Sequence, residues 1–186
     1  MIYLTEEQKT RIEELNLSNL KRWKEFQNTH KFTSRWHLFW NSVYKGKKTD
    51  TILDFGAGPC WCEFVGRKNG FQNITSLDID DKEVKESFSL YTNILKMKPQ
   101  YWNGKKIDIS DNTFDSIVAK SSILKMVKTE FKIEMQELTR VSKQNCLWYI
   151  APILHYHRLN TELKNNNLWP LLKQKNIILV GWLQEG

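Results

Sequence analysis

The chain has 186 residues and a mass of 22.2 kDa, with 40% hydrophobic and 26% charged side chains, which is typical of a globular domain and excludes a disordered or fibrous protein. Twenty-eight Lys and Arg against 21 Asp and Glu leave a formal charge of +7, which suits anionic partners such as nucleic acid. Because 22 of the basic residues are Lys and the chain also holds 15 Asn, a drift in composition explains the charge equally well.

The N-terminal residues, Met1 to Glu7, lack the basic and apolar segments of a secretory signal peptide. The longest apolar run, 147–154, has 8 residues, well short of the roughly 20 that a transmembrane helix requires. We therefore expect a cytoplasmic protein without membrane segments, in which Cys60, Cys62 and Cys146 are reduced thiols. The Cys60 and Cys62 pair has no second pair of ligands, so no metal site is predicted.

Two helices are predicted before the first strand. The run 5–8, Thr-Glu-Glu-Gln, fits a capping box and predicts a helix from there to about Gln27. A second helix is predicted up to the break at Gly46. Together they form a predicted N-terminal helical cap, residues 1–48, attached to a core of residues 49–186 within a single domain.

Aromatic side chains recur at helical spacing in the second of these helices. The stripe consists of Trp36, Phe39, Trp40 and Tyr44. With Trp23 and Phe26 of the first helix beside it, this stripe either packs as a helix–sheet interface or covers an apolar or planar ligand.

Strands and helices alternate from residue 51 onward. The predicted strands are 51–55, 74–79, 100–102, 114–119, 146–150 and 177–182. Helices are predicted through 64–70, 84–95, 131–138 and 168–173. This alternation predicts an α/β fold: a Rossmann-like, doubly wound, mostly parallel sheet of six or seven strands with helices on both faces.

A glycine turn, 56–58, follows the first strand and lets the backbone approach a ligand at the carboxyl edge of the sheet. Trp61 occupies the third glycine position of a dinucleotide fingerprint, and no Gly-Lys-Ser/Thr follows as a P-loop would require. Asp54 would repel a pyrophosphate but suits a ligand with an ammonium and a sulfonium, such as S-adenosylmethionine. Asp78 ends the second strand 20 residues after Gly58, the spacing at which a carboxylate reaches ribose hydroxyls.

Four segments carry a family resemblance. They are 52–60 (ILDFGAGPC), 77–80 (LDID), 103–115 (NGKKIDISDNTFD) and 137–143 (ELTRVSK). In this order they resemble motif I, motif II, the adenine loop with the fourth strand, and the E-x-x-RVLK segment of class I S-adenosylmethionine-dependent methyltransferases, of the small type-11 kind. The resemblance covers about residues 50–152 and implies a Rossmann-like fold and methyl transfer.

The resemblance also implies a set of cofactor-binding residues. They are Asp54, Gly56, Ala57, Gly58, Asp78, Ile79, Asn103, Gly104 and Ala119. Asp54 and the glycines would hold the methionine moiety and Asp78 the ribose. Asn103 stands where the family has an Asp that accepts from the adenine amino group, and an amide oxygen can accept the same bond. The chain departs from the pattern at Cys60, a third glycine in the family, and at 144–146, where Gln-Asn-Cys replaces Pro-Gly-Gly.

Candidate catalytic residues follow the fourth and fifth strands. Methyl transfer from a sulfonium is an in-line displacement, so alignment supplies much of the rate and a base is needed only for a protonated nucleophile. His155 and His157, in a predicted polar loop, are candidate general bases, although such a pair also suits a surface role. Lys120 is the third candidate.

The motifs that the chain lacks narrow the range of possible methyl acceptors. The Asn/Asp-Pro-Pro-Tyr/Phe motif of base amino-methyltransferases is replaced by 119–122, Ala-Lys-Ser-Ser, and neither a nucleophilic Cys nor a metal-binding Asp stands there. The basic clusters lack interleaved stacking aromatics, so specific nucleic-acid binding is not expected. We expect metal-independent transfer to an oxygen or nitrogen of a small molecule or sugar. The alternatives are an RNA or protein methyltransferase that uses the basic surface, and a binding protein without turnover.

Overall fold

A six-stranded sheet forms the centre of the protein, as a computed structural model of the chain shows. All of its paired strands are parallel and lie in the order β3-β2-β1-β4-β5-β6. The strands are β1 Ile52–Phe55, β2 Ile74–Ile79, β3 Gln100–Trp102, β4 Phe114–Lys120, β5 Ser142–Ala151 and β6 Asn176–Leu179. The predicted Rossmann-like α/β fold is therefore confirmed.

The structure describes residues 5–7, 10, 29–120, 122–123, 128–151, 156–173 and 175–180. Most of the predicted first helix, to about Gln27, lies outside the described residues. Three residues singled out above lie outside them as well: Trp23, Phe26 and His155. Within the described part of the chain, no helix combines the length and apolar character needed to cross a membrane.

Helices cover both faces of the sheet. They are α1 Thr29–Leu38, with a π-helical turn Phe39–Val43 after it, α2 Trp61–Lys68, α3 Lys82–Leu95, α4 Lys128–Val141, α5 Tyr156–Asn165 and α6 Trp169–Leu172. Ile52 of β1 packs in the core beneath α1 and α2, whereas the next residue, Leu53, packs in the core beneath α4, α5 and α6. This alternation along one buried strand is what a doubly wound sheet requires.

Helix α5 corrects one prediction. Residues 155–157 were expected in a polar loop, but Tyr156 and His157 form the first turn of α5. Leu159 and Leu163, one helical turn apart, are both buried in the core, while the residues around them are polar. Two apolar positions give a weak helical period, and packing of these two leucines on the sheet stabilises the helix.

The aromatic stripe is a helix–sheet interface. Trp36, Phe39, Trp40 and Tyr44 are all buried in the core. The ring centroids of Phe39 and Tyr149 of β5 lie 5.3 Å apart, nearly perpendicular, and the Trp40 indole donates a 3.0 Å hydrogen bond to the Cys62 carbonyl. The N-terminal segment from Thr29 is thus packed onto the sheet through its largest side chains.

Strand β5 begins with an irregularity. The sequence predicted it from residue 146, but pairing with β4 begins at Ser142, opposite Phe114, and shifts register before Leu147. Asn145, in the segment that replaces Pro-Gly-Gly, has a left-handed backbone with φ of 63°. Asn adopts this conformation more readily than other residues with a Cβ, so the chain keeps a glycine-type backbone here without glycine.

Candidate functional site

The glycine turn after β1 is held between two neighbouring segments. Gly56 and Gly58 have left-handed backbones, with φ of 69° and 52°. The Gly56 amide donates a 2.8 Å hydrogen bond to the Leu77 carbonyl of β2, and the Ser122 hydroxyl, beyond β4, donates one of 2.8 Å to the Phe55 carbonyl. A Cβ on Gly56 would collide with Ser122. Glycine is therefore required at position 56 for conformation and for space.

Cys60 ends this turn in a left-handed conformation, with φ of 60°, and immediately precedes α2. It is completely buried, and burial followed by the Asp54 carboxylate raises the pKa of its thiol well above the usual range. A residue with a Cβ pays about 1 kcal/mol for this backbone, a strain typical of ligand-binding turns. Cys60 therefore reproduces the backbone of the glycine it replaces in motif I, as a neutral, apolar side chain.

Asp78 lies at the end of β2 and contacts the turn directly. Its Oδ2 accepts a 2.7 Å hydrogen bond from the Gly58 amide, and its Oδ1 accepts one of 2.8 Å from the Ile79 amide. Each carboxylate oxygen can accept a second bond, so the half-buried group still has two acceptor positions. Two fixed acceptors at the carboxyl edge match a pair of adjacent hydroxyls.

Asp54 lies in the core below the turn and is only 3% exposed. Burial, and then the carboxylates of Glu63 and Asp78, raises the pKa of Asp54 to about 8. The Ser76 hydroxyl lies 3.4 Å from Asp54 Oδ2 and donates a 2.7 Å hydrogen bond to Glu63 Oε2.

Glu63 lies beside Asp54 in the candidate site and was missed by the sequence analysis. It is 5% exposed, lies in the first turn of α2 and pairs with Arg67 through a 2.8 Å bond from Nε. An acidic residue flanked by apolar neighbours, with an Arg four positions later, is the one signal that the sequence offered.

The loop after β3 lies at the same edge of the sheet as Asp78. Asn103 is exposed, and its Oδ1 accepts hydrogen bonds from the amides of Lys105 and Lys106, at 3.0 and 3.2 Å, which shape the loop. At Gly104, with φ of 76°, an added Cβ would meet one atom of the described residues within 4 Å, Ile79 Cδ1 at 3.9 Å. Among the residues that the structure describes, the backbone of Gly104 therefore borders open space, as a planar ligand would need.

Arg140 and Glu137 of α4 fix this loop from below. Arg140 donates 2.8 Å hydrogen bonds to the carbonyls of Ile107 and Ile109 and pairs with Asp111 and Glu137, each at 2.6 Å. Glu137 in turn accepts from the Ile107 amide at 2.9 Å. The E-x-x-R spacing thus has a structural role, because it places both charges under the loop.

Lys120 and His157 lie at the end of β4 and at the start of α5. Ala119, buried near the end of β4, pairs with Phe55 of β1 and Ile150 of β5. Lys120 follows it, with Nζ 5.8 Å from the centroid of the Trp36 ring. For His157 the structure describes the backbone, at the start of α5, and His155 lies outside the described residues.

Solved structures share this arrangement of strands and helices. An S-adenosylmethionine-dependent methyltransferase of Thermotoga maritima matches with a TM-score of 0.53 and 11% identity, over 92% of this chain and 74% of that one. A protein of Methanococcus maripaludis described as a methyltransferase of the same kind matches at 0.51 and 20% identity, over 79% and 72%. The chain has the class I methyltransferase fold. A complex of the Haloferax volcanii Trm112 methyltransferase activator with a methyltransferase gives 0.53 and 14% identity, over 78% and 71%.

These similarities establish the methyltransferase fold. A fold does not determine an activity, so any activity has to be argued from the residues of the site. No protein-family model matches the sequence, and no curated protein does. The chain spans about half the length of three longer solved structures that it also matches, between 42% and 54%. In the methyltransferase fold, the glycine turn, Asp78 and the loop at Gly104 meet at the carboxyl edge, where parallel sheets bind their ligands.

Proposed function

We propose that the protein is an S-adenosylmethionine-dependent methyltransferase that acts, without a metal, on an oxygen or nitrogen atom of a small molecule or sugar. The observation that carries this proposal is the hydrogen bond from the Gly58 amide to Asp78. This bond holds a carboxylate against the glycine turn at the ligand-binding edge of a methyltransferase fold. Each oxygen of that carboxylate can accept one more hydrogen bond.

The residues at this edge fit the cofactor. Asp78 offers two acceptors to the ribose hydroxyls, and Ala57 of the turn and Ile79 after Asp78 are the proposed backbone and apolar contacts. Asp54, with Glu63 beside it, makes the region below the turn acidic, which suits a ligand that carries an ammonium and a sulfonium. Gly104 leaves room for the adenine, and Asn103 shapes the loop around it.

The cofactor supplies a methyl group that its sulfonium already activates. The protein's own residues then have to align the acceptor and, for a protonated nucleophile, remove a proton. Ala119 keeps the end of β4 small beside the reacting centre. Lys120, His155 and His157 are the proposed groups for binding or deprotonating the acceptor.

The distribution of charge favours a small acceptor over RNA. Several basic side chains of the described residues are paired with carboxylates: Arg67 with Glu63, Lys85 with Asp80, Arg140 with Glu137 and Asp111, and Lys143 with Asp115. Such pairing lowers the concentration of unpaired positive charge that a phosphate backbone needs.

Among the described residues, no group of three or more His, Cys, Asp or Glu side chains is placed to hold a metal ion.

A transfer assay tests the proposal. The protein is incubated with methyl-labelled S-adenosylmethionine and, in parallel, with a small-molecule extract, total RNA or a protein extract. We expect label in the small-molecule fraction alone, lost in Asp78→Ala and retained in Glu86→Gln, an exposed carboxylate of α3. Label in RNA or protein would replace the proposed acceptor class, and cofactor binding without any transfer would show a binding protein.

A further inference from the structure

One hydroxyl lies between two buried carboxyl groups. Ser76 Oγ is 2.7 Å from Glu63 Oε2 and 3.4 Å from Asp54 Oδ2, and Asp54 and Ser76 are directly opposite each other on β1 and β2. A hydroxyl has one hydrogen, so it can donate to only one of the two carboxyl groups. The shorter contact assigns that hydrogen to Glu63. The contact with Asp54 becomes a hydrogen bond only when Asp54 itself carries a proton.

The surrounding charges favour the proton on Asp54. Glu63 has a cation beside it, since Arg67 contacts its Oε1 from Nε at 2.8 Å and from a terminal nitrogen at 2.7 Å. Among the described residues, no salt bridge reaches Asp54. A buried anion without a cation is costly, and two anions in one pocket are costlier, so the carboxyl group that lacks the Arg becomes neutral.

Two carboxylates and two thiols face Asp54. Glu63 of α2 and Asp78 of β2 are acidic, and their carboxylates raise the pKa of Asp54. The thiols of Cys60 and Cys62 have pKa values raised by burial, so they remain neutral. The hydrogen bond from Cys62 lowers the pKa of Asp54, but by less than burial and the two carboxylates raise it. On the other side, β4 offers Val118, which is apolar.

We infer that burial, together with the Glu63 carboxylate on the other side of Ser76, keeps a proton on Asp54 in the ligand-free protein, and that this proton is released to solvent when a cationic ligand binds at the glycine turn above Asp54. The inference rests on the proposed function, because S-adenosylmethionine is the cation in question. On binding, the positive charge of the ligand favours the Asp54 carboxylate beneath the turn, and the Asp54 proton leaves to solvent. Ser76 continues to donate to Glu63. Glu63 is thus a positioning residue that makes cofactor affinity depend on pH.

Calorimetry in buffers of different ionisation enthalpy tests the release. For the wild-type protein with S-adenosylmethionine, we expect about one proton released per bound ligand at pH 7, and an affinity that falls about tenfold per pH unit below pH 8. Glu63→Gln removes the neighbouring carboxylate but leaves Asp54 buried, so this variant should release fewer protons than wild type and its affinity should depend less on pH. Asp54→Asn, which mimics the neutral carboxyl, should bind weakly, also without proton release.

A matched control is Glu134→Gln. Glu134 is a buried carboxyl on α4, packed on the opposite face of the sheet, and its substitution should leave proton release on ligand binding unchanged. If the wild-type protein binds S-adenosylmethionine without releasing a proton, or if Glu63→Gln releases as many protons as wild type, the inference is wrong while the proposed function stands.

Absence of any binding would instead contradict the proposed function, and the proton on Asp54 can still be tested without ligand. In the Glu134→Gln background, infrared spectra at pH 7 should show the carbonyl band of a protonated carboxyl group. Adding Asp54→Asn should remove this band, and adding Glu63→Gln should shift its loss to lower pH. A ligand-free protein without the band would overturn the inference.

Discussion

The Asp78 carboxylate accepts a 2.7 Å hydrogen bond from the Gly58 amide, and this bond joins the end of β2 to the turn after β1. Two strands of the sheet are neighbours in any Rossmann-like fold, but this contact makes their ends one surface. A ligand that binds the carboxylate is therefore placed against the turn as well. The most direct prediction concerns this residue.

Asp78→Ala should weaken binding of S-adenosylmethionine by about 1.5 to 3 kcal/mol, since hydrogen bonds to a charged group are worth this much. Titration calorimetry measures the change directly. Glu86→Gln, which removes an exposed carboxylate of α3, should bind as wild type does. Equal affinity of the Asp78→Ala and wild-type proteins would show that the cofactor does not bind at Asp78.

Gly56→Ala should destabilise the protein by about 2 to 4 kcal/mol, because left-handed strain adds to the collision with Ser122. Gly58→Ala is the matched control: its φ of 52° brings the same strain, but the added Cβ would meet the Phe88 ring at an ordinary 3.5 Å. We expect it to cost about 1 kcal/mol in urea unfolding. Adding Ser122→Gly should restore the stability that Gly56→Ala loses through the collision. The same addition should restore no stability to Gly58→Ala.

The free energy of unfolding should fall as the pH rises, because the buried carboxyl group of Glu134 has a raised pKa. Burial, and then the Glu130 carboxylate, raises the pKa of Glu134 from 4.5 to about 9, and neither of its oxygens has a hydrogen-bond partner among the described residues. The pKa of Glu134 is higher in the folded protein than in the unfolded chain. Its contribution to the free energy of unfolding is therefore fully present below pH 4.5 and is lost progressively as the pH rises to about 9. At pH 7 the lost part is about 3 kcal/mol.

Glu134→Gln should remove this contribution, so the difference in unfolding free energy between variant and wild type should grow from pH 5 to pH 8. Denaturant unfolding at several pH values measures it. Glu86→Gln, which removes an exposed carboxylate of α3, should leave the slope nearly unchanged. Parallel stability curves for Glu134→Gln and wild type would show that Glu134 is ionised in the folded protein.

Arg140→Lys should loosen the loop after β3. Lys keeps the charge but not the planar fork that reaches the carbonyls of Ile107 and Ile109 together with Glu137. Hydrogen exchange should show lost protection at the Ile107 amide, while Arg35→Lys on α1 should leave that amide protected. Unchanged exchange in the Arg140 variant would mean that the loop is held by other contacts.

Chelation should leave methyl transfer unchanged, because the proposed reaction uses alignment and no bound metal. Transfer is measured before and after EDTA, then again with added magnesium. Activity that disappears in EDTA and returns with magnesium would favour a metal-dependent mechanism.

The sequence predicted elements well where apolar runs are closed by turn residues. The predicted bounds of β2 and β3, 74–79 and 100–102, are those of the structure, since charged or turn-forming residues flank each run. The start of β5 was missed because Ser142 to Asn145 are polar, and only pairing with β4 shows that they are extended. Helix α5 was missed because, among its side chains that the structure describes, the buried apolar ones are two leucines, Leu159 and Leu163.

Residues of the candidate site could be proposed from the sequence where a motif specifies them, but not where packing alone brings them to the site. Asp54 and Asp78 followed from the strand–turn–helix–strand spacing. Glu63 did not, because only the packing of α2 on the sheet shows that its carboxylate lies in the core next to Asp54. The contacts of Asn103 with its own loop were equally hidden, since amide–backbone turns carry no long-range signal.

Cys60 and Asn145 both adopt a backbone conformation that glycine occupies most easily, at positions where the resembling family has glycine. The fold therefore preserves a dihedral angle there while the residue type drifts. A search pattern that demands glycine at these two positions penalises the chain twice for substitutions that its three-dimensional structure tolerates. Distant relatives of this protein are better sought by allowing Asn, Cys and other small residues wherever the backbone alone is constrained.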